Sequence, residues 1–474
     1  MIARIILLFI PVVFSFQLAA QEAWNLQQCI DYAMESNLTV LQSKLNIERS
    51  EVDYDQSRFS LLPNLNAQAS YGYNFGQRID PFTNQFATQR VGTGNAFLSS
   101  SVDLFNAFSK MNNIRRNEQN MKASQFDYEN VKNDISLQLC LFYLDILLNK
   151  ENVAIAKEQV KISEAQVARV QQLVDAGQEP RGSLYDAESQ LAQEEFNLTR
   201  AQNQVVLSRL NLVQLLQLSP EEAENFEVVS PDLSDEGIEL IDNSARDIYL
   251  RAKQTMPDIK AAEARRLASE YNLASAQGNL YPTLSLSGSI GSGYSENNTV
   301  QAGDPTVETF PIGRVEGTNN LVVTDQLIYE RRTKNFTSQM EDNFNQNVQL
   351  SLNIPIFNGN SARAAMTRAK INQLDADISY SQISNQLRFE IEQAYADAKA
   401  AMNSFTSAEK AVRALEESFK YAEVRFEQNV INAVEYNNIK TQFTNAQSDM
   451  IRAKYDFVFR TKILDFYLGN AITL

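Results

Sequence analysis

The stretch "LVDAGQEPRGSLYDAESQL", Leu173 to Leu191, decides the fold because it interrupts a long helical pattern. From Ala107 to Ala176 the chain contains no Gly or Pro. A continuous helix there would be about 100 Å long at roughly 1.5 Å per residue. Gly177, Pro180 and Gly182 then arrive close together, and the helical pattern resumes. The stretch therefore predicts that one very long helix ends here and that the chain turns back.

Apolar residues recur at every seventh position on both sides of this turn. The outgoing row consists of Leu139, Ile146, Val153, Val160, Val167 and Val174. The returning row consists of Leu184, Leu191, Leu198, Val205 and Leu212. A sustained period of seven is typical of helices that pack along a common seam with left-handed supercoiling. Two such rows running in opposite directions predict an antiparallel helical hairpin.

The chain also contains a tandem duplication. Pro63 of "SLLPNL" and Pro282 of "NLYPTL" differ in number by 219. Phe105 of "VDLFN" and Phe357 of "IPIFN" differ by 252, and this second offset aligns the halves without a gap to Leu216. The two offsets differ by 33 residues, which indicates an insertion in the second half. The seams of period seven reappear at the offset of 252, so each half predicts a helical hairpin.

The N-terminus has the features of a secretory signal. Arg4 precedes the apolar run "IILLFIPVVFSF", which is too short to span a membrane comfortably, and small residues precede Gln21. The predicted organisation follows the duplication. It comprises a signal peptide at 1–20, a first repeat at 21–218, an acidic connector at 219–244, a second repeat at 245–469 and a tail at 470–474.

Four segments alternate between apolar and polar residues, at about 64–76, 95–105, 283–294 and 346–357. A period of two over roughly ten residues is typical of transmembrane strands, although a half-buried soluble strand has the same pattern. Four strands are too few to close a barrel, and lipid does not tolerate an open sheet edge. If these strands span a membrane, several copies must pool them, and three copies supply twelve.

The composition argues against several classes of function. The net charge of −16 is unfavourable for nucleic-acid binding, which needs basic patches. The chain has no histidine, which excludes Ser-His-Asp triads and His-ligated zinc. It contains neither a P-loop nor a dinucleotide-binding fingerprint. We therefore expect no enzyme activity, no cofactor and no metal site, although catalysis by carboxylates alone stays possible.

Together, these features resemble the TolC family of outer-membrane efflux proteins. The resemblance rests on "LLPNL" and "LYPTL", "VDLFN" and "IPIFN", the Gly-containing turn before "SLYDAESQL", and the final "YLG". It implies a mostly α fold with a small β part. In such a fold, long helical hairpins form an α-barrel in the periplasm. Four strands per chain join a trimeric 12-stranded β-barrel in the outer membrane. The loops at 77–94 and 295–343 would then face outside, and the sequence gives no purpose for the insertion in the second loop.

The resemblance further implies a passive exit duct of a tripartite efflux or secretion system. The implied partners are two further copies of the chain, outer-membrane lipid, a periplasmic adaptor (membrane fusion protein) and an inner-membrane pump. In the family, the hairpin tips close the channel and dock the adaptor. The docking candidates are Gly177, Gln178, Arg181, Asn429 and Val430. Helix capping explains Gly177 and Asn429 whether or not the tips dock a partner.

The resemblance also indicates a gate near the second tip. The family often places two acidic residues three positions apart there, and the matching residues are Glu435 and Asn438. Ser183 and Asp186 occupy the equivalent positions in the first repeat. Three copies of Glu435 near a threefold axis would attract cations. Asn438 places an amide at one of the two acidic positions. Glu435 is explained equally well as part of a solvated helix face.

Two other functions stay open at this point. One is a secreted or periplasmic structural coiled coil or adhesion protein, in which the alternating segments form soluble hairpins. The other is an exported hydrolase, for which the missing histidine is unfavourable. Dependence on detergent distinguishes a membrane channel from both.

Overall fold

The computed structural model describes residues 23–84, 86–87, 90–231, 243–318, 320–428, 430–470 and 472. The predicted signal peptide and much of the predicted connector lie outside these residues. The chain divides into two units. The first comprises Met1–Glu51, Gln119–Arg266 and Asp375–Leu474, and the second comprises Val52–Glu118 and Leu267–Leu374.

Helices make up most of the described chain. They are α1 (Leu26–Ser36), α2 (Leu38–Phe59), α3 (Ser109–Asp175), α4 (Arg181–Leu216), α5 (Pro220–Glu224), α6 (Ala245–Thr255), α7 (Pro257–Gly278), α8 (Phe336–Asp342), α9 (Ser361–Glu427) and α10 (Ala433–Tyr467). None of the described helices combines the length and the apolarity needed to cross a lipid bilayer.

The helix boundaries recur at the two offsets found in the sequence. Adding 219 to the bounds of α1 and α2 gives those of α6 and α7, and adding 252 to α3 gives α9. The breaks also correspond, because Asn37 and Met256 both leave the helical conformation (ψ 124° and 130°). The side chains of Asn25 and Ser244 cap the following helices at equivalent positions. The duplication therefore extends to the ends of individual helices.

The apolar rows of period seven lie inside the hairpins. Every residue of the rows on α3 and α4 is buried or half-buried. Two equivalent cores form where the helices of the first unit meet. The first core contains Cys29, Leu139 and Leu212, and the second contains Ile248, Ile391 and Leu464. Burial of these side chains away from water holds the first hairpin to α1 and the second hairpin to α6.

The main sheet lies in the second unit and has the order β1-β4-β5-β8, with all neighbours antiparallel. Its strands are β1 (Asn66–Asn74), β4 (Val91–Phe105), β5 (Thr283–Ser295) and β8 (Asn345–Asn353). Two bounds differ by four residues from the sequence-based expectation, and the others agree to within two residues. β4 begins at Val91 rather than 95 because its first residues pair with β1. β8 ends at Asn353 rather than 357 because Pro355 has no N–H for the ladder.

The two predicted external loops contain secondary structure. The first includes the short pair β2 (Arg78–Ile79) and β3 (Phe86–Ala87). The second contains a two-stranded ribbon of β6 (Thr299–Arg314) and β7 (Leu321–Thr333), followed by α8. The insertion of the second half is thus an ordered antiparallel ribbon and a short helix.

Candidate functional site

The first hairpin tip is a helix C-cap built on glycine. α3 ends at Asp175, and Gly177 adopts a left-handed conformation with φ of 72°. The Gly177 amide donates to the Val174 carbonyl (3.0 Å), and the Gln178 amide donates to the Leu173 carbonyl (2.8 Å). These two bonds form a Schellman motif, which satisfies carbonyls at the end of the helix.

The second tip repeats part of this arrangement with different residues. The Val430 amide donates to the Arg425 carbonyl (2.8 Å), at the position equivalent to the bond from Gln178. The predicted docking residue Asn429 lies outside the described residues. α10 then begins after Asn432, whose side chain accepts a hydrogen bond from the Glu435 amide (2.9 Å). An Asn cap therefore starts the returning helix.

The two tips line one cavity of about 830 Å³ within the first unit. Four of the predicted site residues contribute to its wall: Gln178, Ser183, Asp186 and Val430. Gly177, Arg181, Glu435 and Asn438 do not line it. Within one chain the structure thus brings the first-repeat gate candidates together with the docking candidates Gln178 and Val430, and it leaves the second-repeat pair outside the cavity wall.

Glu435 is engaged in an ion pair on an open surface. Its carboxylate lies 3.4 Å from the Arg425 guanidinium, and both side chains are about half exposed, at 48% and 50%. Asn438 is also exposed, one turn further along α10. An exposed pair of this kind contributes little to stability because water screens it. Its chemical consequence is that a cation partly offsets the charge of the predicted gate carboxylate.

Arg169 links the first hairpin to the second tip and was not predicted from the sequence. Its guanidinium donates to the Glu427 carbonyl at the end of α9 (3.0 Å). It also lies 5.5 Å from the centre of the Phe426 ring, which stacks on Tyr436 at 4.7 Å. A cation suits this place because the last carbonyls of a helix carry partial negative charge. Burial, aided by nearby acidic residues, raises the pKa of Tyr436 to about 12 and keeps its hydroxyl neutral.

Lys440 is a buried cation between the two hairpins and was also missed. Only 3% of its surface is exposed. Its ammonium donates to the Ser163 hydroxyl (2.7 Å) and to the Gln159 carbonyl (3.4 Å) on α3, and it lies 3.9 Å from a Glu194 oxygen on α4. Desolvation by burial lowers the pKa of Lys440, and the Glu194 carboxylate opposes this shift.

A sequence signal for Lys440 does exist. The residue lies four positions after Tyr436 and three before Phe443, so it falls on the face of α10 that carries the apolar row. A charge at such a seam position requires a partner inside the hairpin. The identity of that partner depends on packing between helices far apart in sequence, so no pattern in the chain reveals it.

Comparison with known proteins links this architecture to one family. The sequence model of the outer membrane efflux proteins matches residues 29–217 and 248–470. The probable outer membrane lipoprotein SilC of Salmonella typhimurium is 25% identical over 281 residues, which cover 57% of this chain and 56% of SilC. Outer membrane protein OprJ of Pseudomonas aeruginosa is 24% identical over 425 residues, which cover 87% of this chain and 77% of OprJ. The chain thus spans little more than half the length of SilC.

Solved structures share the fold at low sequence identity. CusC superimposes with a TM-score of 0.75 at 16% identity, covering 94% of this chain and 92% of CusC. The outer membrane protein VceC of Vibrio cholerae superimposes with a TM-score of 0.73 at 17% identity, covering 94% and 96%. Both alignments extend over almost the whole chain, so the helices and the strands together define the likeness.

The two glycines of the first tip should respond to alanine in opposite directions. Gly177→Ala should destabilise the tip by about 1–2 kcal/mol, because a side chain is strained at positive φ. Gly182→Ala lies in α4 with open space around the new methyl group, so it should stabilise by about 0.5–1 kcal/mol. Hydrogen exchange of the tip amides measures both changes. Equal effects at the two positions would contradict the assigned cap.

Lys440 should impose a pH dependence on stability. Folded Lys440 releases its proton at a lower pH than an unfolded lysine, so the unfolded chain binds more protons between the two pKa values. Stability must then rise with pH across that interval. The free energy of unfolding of the wild type relative to Lys440→Met should therefore increase as the pH rises toward the ordinary lysine pKa of about 10.4. Thr441→Met, at the exposed neighbouring residue, adds the same side chain without removing a charge and should give a constant difference.

Proposed function

Because the chain belongs to the outer membrane efflux protein family, we propose that it is the passive exit duct of a tripartite efflux or secretion system. Its location is the outer membrane. Matched structures of this fold include proteins described as outer membrane channels, such as CmeC of Campylobacter jejuni and OprN. Partner proteins would provide the energy for export, and this chain would form the channel through which the substrate leaves.

The observation that carries the proposal is a sheet with two open edges and an apolar face. β1 and β8 each pair with a neighbour on one side only. On one face of β8, Val348, Leu350 and Leu352 are 79%, 62% and 61% exposed. Such a face is stable against lipid, whereas the unpaired backbone groups at the edges are not. A membrane environment therefore requires further strands at both edges.

Copies of the same chain satisfy this requirement. The sheet has four antiparallel strands, so β1 and β8 run in opposite directions. β8 of one copy is then antiparallel to β1 of the next, and every copy joins its neighbour in the same way. Three copies give twelve strands, within the range of closed outer-membrane barrels. The long hairpins of the three copies would surround a tunnel in the periplasm.

The internal repeat supplies the register of this junction. In the sheet, Ser99 of β4 lies opposite Ser289 of β5. Adding 252 to the first number and subtracting 219 from the second gives Ser351 of β8 and Ser70 of β1. If the junction between copies repeats the junction between the halves, these two serines face each other across the interface.

The tips are the proposed gate and docking site. Ser183, Asp186, Glu435 and Asn438 would narrow the channel at its periplasmic end. Exposed residues around the shared cavity, Gln178 and Val430 among them, would meet the adaptor that connects the duct to an inner-membrane pump. The half-exposed ion pair of Glu435 and Arg425 supports a gate whose net charge depends on both side chains.

The proposed chain organisation follows the duplication. A signal peptide at 1–20 directs export, repeats at 21–218 and 245–469 each supply one strand hairpin and one helical hairpin, and the connector at 219–244 joins them. The recurrence of helix bounds at fixed offsets supports this division. A purely structural coiled coil is not favoured, because the family match extends through the strand regions of both repeats.

Cysteine crosslinking tests the junction between copies. The double variant Ser70→Cys, Ser351→Cys should form disulfides between chains and yield covalent trimers on non-reducing gels, since opposed residues bring their Cβ atoms within about 5.5 Å. The matched control, Ser70→Cys with Asn347→Cys, shifts one partner by about 13 Å along β8 and should crosslink poorly. Stronger crosslinking in the shifted pair would overturn the register.

Ion selectivity in planar bilayers tests the channel and its gate. The purified protein should conduct, and Glu435→Gln should weaken its preference for cations. Arg425→Gln should strengthen that preference, because it removes the positive partner of Glu435. Reversal potentials under a salt gradient measure both shifts. Unchanged potentials would remove Glu435 from the gate, and absence of any conductance would contradict the channel function itself.

A further inference from the structure

The ribbon and α8 in the second half form the part of the molecule that the exit duct does not require. The segment contains "IYERRTKNFTSQMEDNF", Ile328 to Phe344, in which basic residues precede a helix with aromatic residues around it. α8 is short, but its position is well fixed.

α8 packs against the end of β5 that lies farthest from the helices of the second unit. The Ser292 hydroxyl donates to the Met340 carbonyl (2.7 Å), and the Asn343 amide donates to the Gly293 carbonyl (2.7 Å). The rings of Phe336 and Tyr294 lie 5.7 Å apart. These contacts place α8 directly on the sheet.

The face that α8 covers is the apolar one. Tyr294 alternates in phase with Ile290 and Leu286, and Tyr71 of β1 stands on the same face, its ring 6.4 Å from that of Tyr294. An apolar depression on this face contains Phe344 and Ile290. If the strands span a membrane, this is the face that meets lipid. α8 therefore lies on the outside of the proposed barrel, next to the bilayer.

Buried polar contacts hold α8 in this position. Gln339 is fully buried, and its side-chain amide donates to the Ser295 carbonyl (3.1 Å) and the Lys334 carbonyl (2.9 Å). Its oxygen accepts from the Ser295 amide (2.9 Å). Lys334 also pairs with Asp342 across the helix. α8 is thus tied at both ends to the end of β5, and its orientation is fixed.

Two aromatic side chains at the ends of α8 contact the sheet face but remain largely uncovered by the protein. Phe336 is 62% exposed and Phe344 is 53% exposed, one at each end of the helix. Arg331 and Arg332 precede it and are exposed, and within the described chain no ion pair joins either to a carboxylate. Aromatic side chains beside cations are the composition of surfaces that lie at the boundary between lipid headgroups and acyl chains.

We propose that α8 with Phe336, Phe344, Arg331 and Arg332 is a lipid-contact collar of the outer leaflet. The proposal rests on the proposed membrane-spanning role of the strands. Phe336 and Phe344 lie among the first carbons of the acyl chains. Arg331 and Arg332 leave opposite faces of β7 and meet the phosphates of lipids on either side of it, which in this leaflet are phosphorylated glycolipids of the lipid A type. The insertion thereby fixes the depth and orientation of the barrel in the membrane.

Depth-dependent fluorescence quenching tests the collar. Phe336→Trp is reconstituted in vesicles of lipids brominated either near the headgroup or near the chain end. The single native tryptophan, Trp24, lies in the first unit, and the wild type supplies its signal as the baseline. The fluorescence added by Phe336→Trp should fall at least about twofold with shallow bromine, and less with deep bromine.

Two further variants separate the possible failures. Val348→Trp, in the middle of β8, reports whether the strands contact lipid, and Val307→Trp, on the exposed ribbon, should stay unquenched. Absence of quenching at Val348→Trp overturns both the collar and the membrane-spanning strands. Quenching at Val348→Trp, with Phe336→Trp no more quenched than Val307→Trp, overturns the collar alone. If a second copy or another protein covers α8, Val348→Trp should be quenched and Phe336→Trp should not.

The phosphate contact has its own test. The thermal midpoint of the wild type should rise when lipid A is added to neutral vesicles, and the double variant Arg331→Gln, Arg332→Gln should lose most of this shift. Arg314→Gln, at the far end of the ribbon, is the matched control and should keep it. An equal shift in all three proteins would overturn the assignment of the two arginines.

Discussion

The unpaired backbone groups along β1 and β8 set the constraint on which the rest of the molecule depends. In water these N–H and C=O groups bind solvent, but in lipid each unsatisfied group costs several kcal/mol. Four antiparallel strands leave edges of opposite direction, and we propose that repetition of the same chain satisfies both edges. The apolar sheet face, the long hairpins that follow the strands, and the tandem duplication that doubles each element are all consistent with this one requirement.

The two tips show how a duplicated backbone acquires different chemistry. The bonds from Gln178 to Leu173 and from Val430 to Arg425 have the same length, 2.8 Å, at equivalent positions. Their surroundings differ, because Arg169 reaches across to the end of α9 and Lys440 reaches back to Ser163 on α3. Arg169 and Lys440 both line the shared cavity, and Lys440 is buried. The region proposed to open is therefore held by a few polar links beside a small aromatic cluster around Phe419 and Tyr436.

Much of the architecture was predictable because its signals are local. The breaks at Gly177 and Pro180 and the rows of period seven predicted the hairpins, and the motif offsets predicted the equivalence of the halves. The end of β8 at Asn353 was misjudged although Pro355 was visible, since alternation alone continued to Phe357. Of the gate candidates, Ser183 and Asp186 line the shared cavity, whereas Glu435 and Asn438 lie outside it.

The sequence by itself determined the two long helical hairpins, the four strands of the main sheet and the family. These follow from periodicity and from repeated motifs, which are properties of neighbouring residues and fixed offsets. Only the tertiary structure decided which side of the sheet α8 covers and where the charge of Lys440 is buried. The Lys440 bond to Ser163 joins residues 277 positions apart, and the Ser292 bond to Met340 joins residues 48 apart. Packing creates such contacts after the elements form, so no local pattern encodes them.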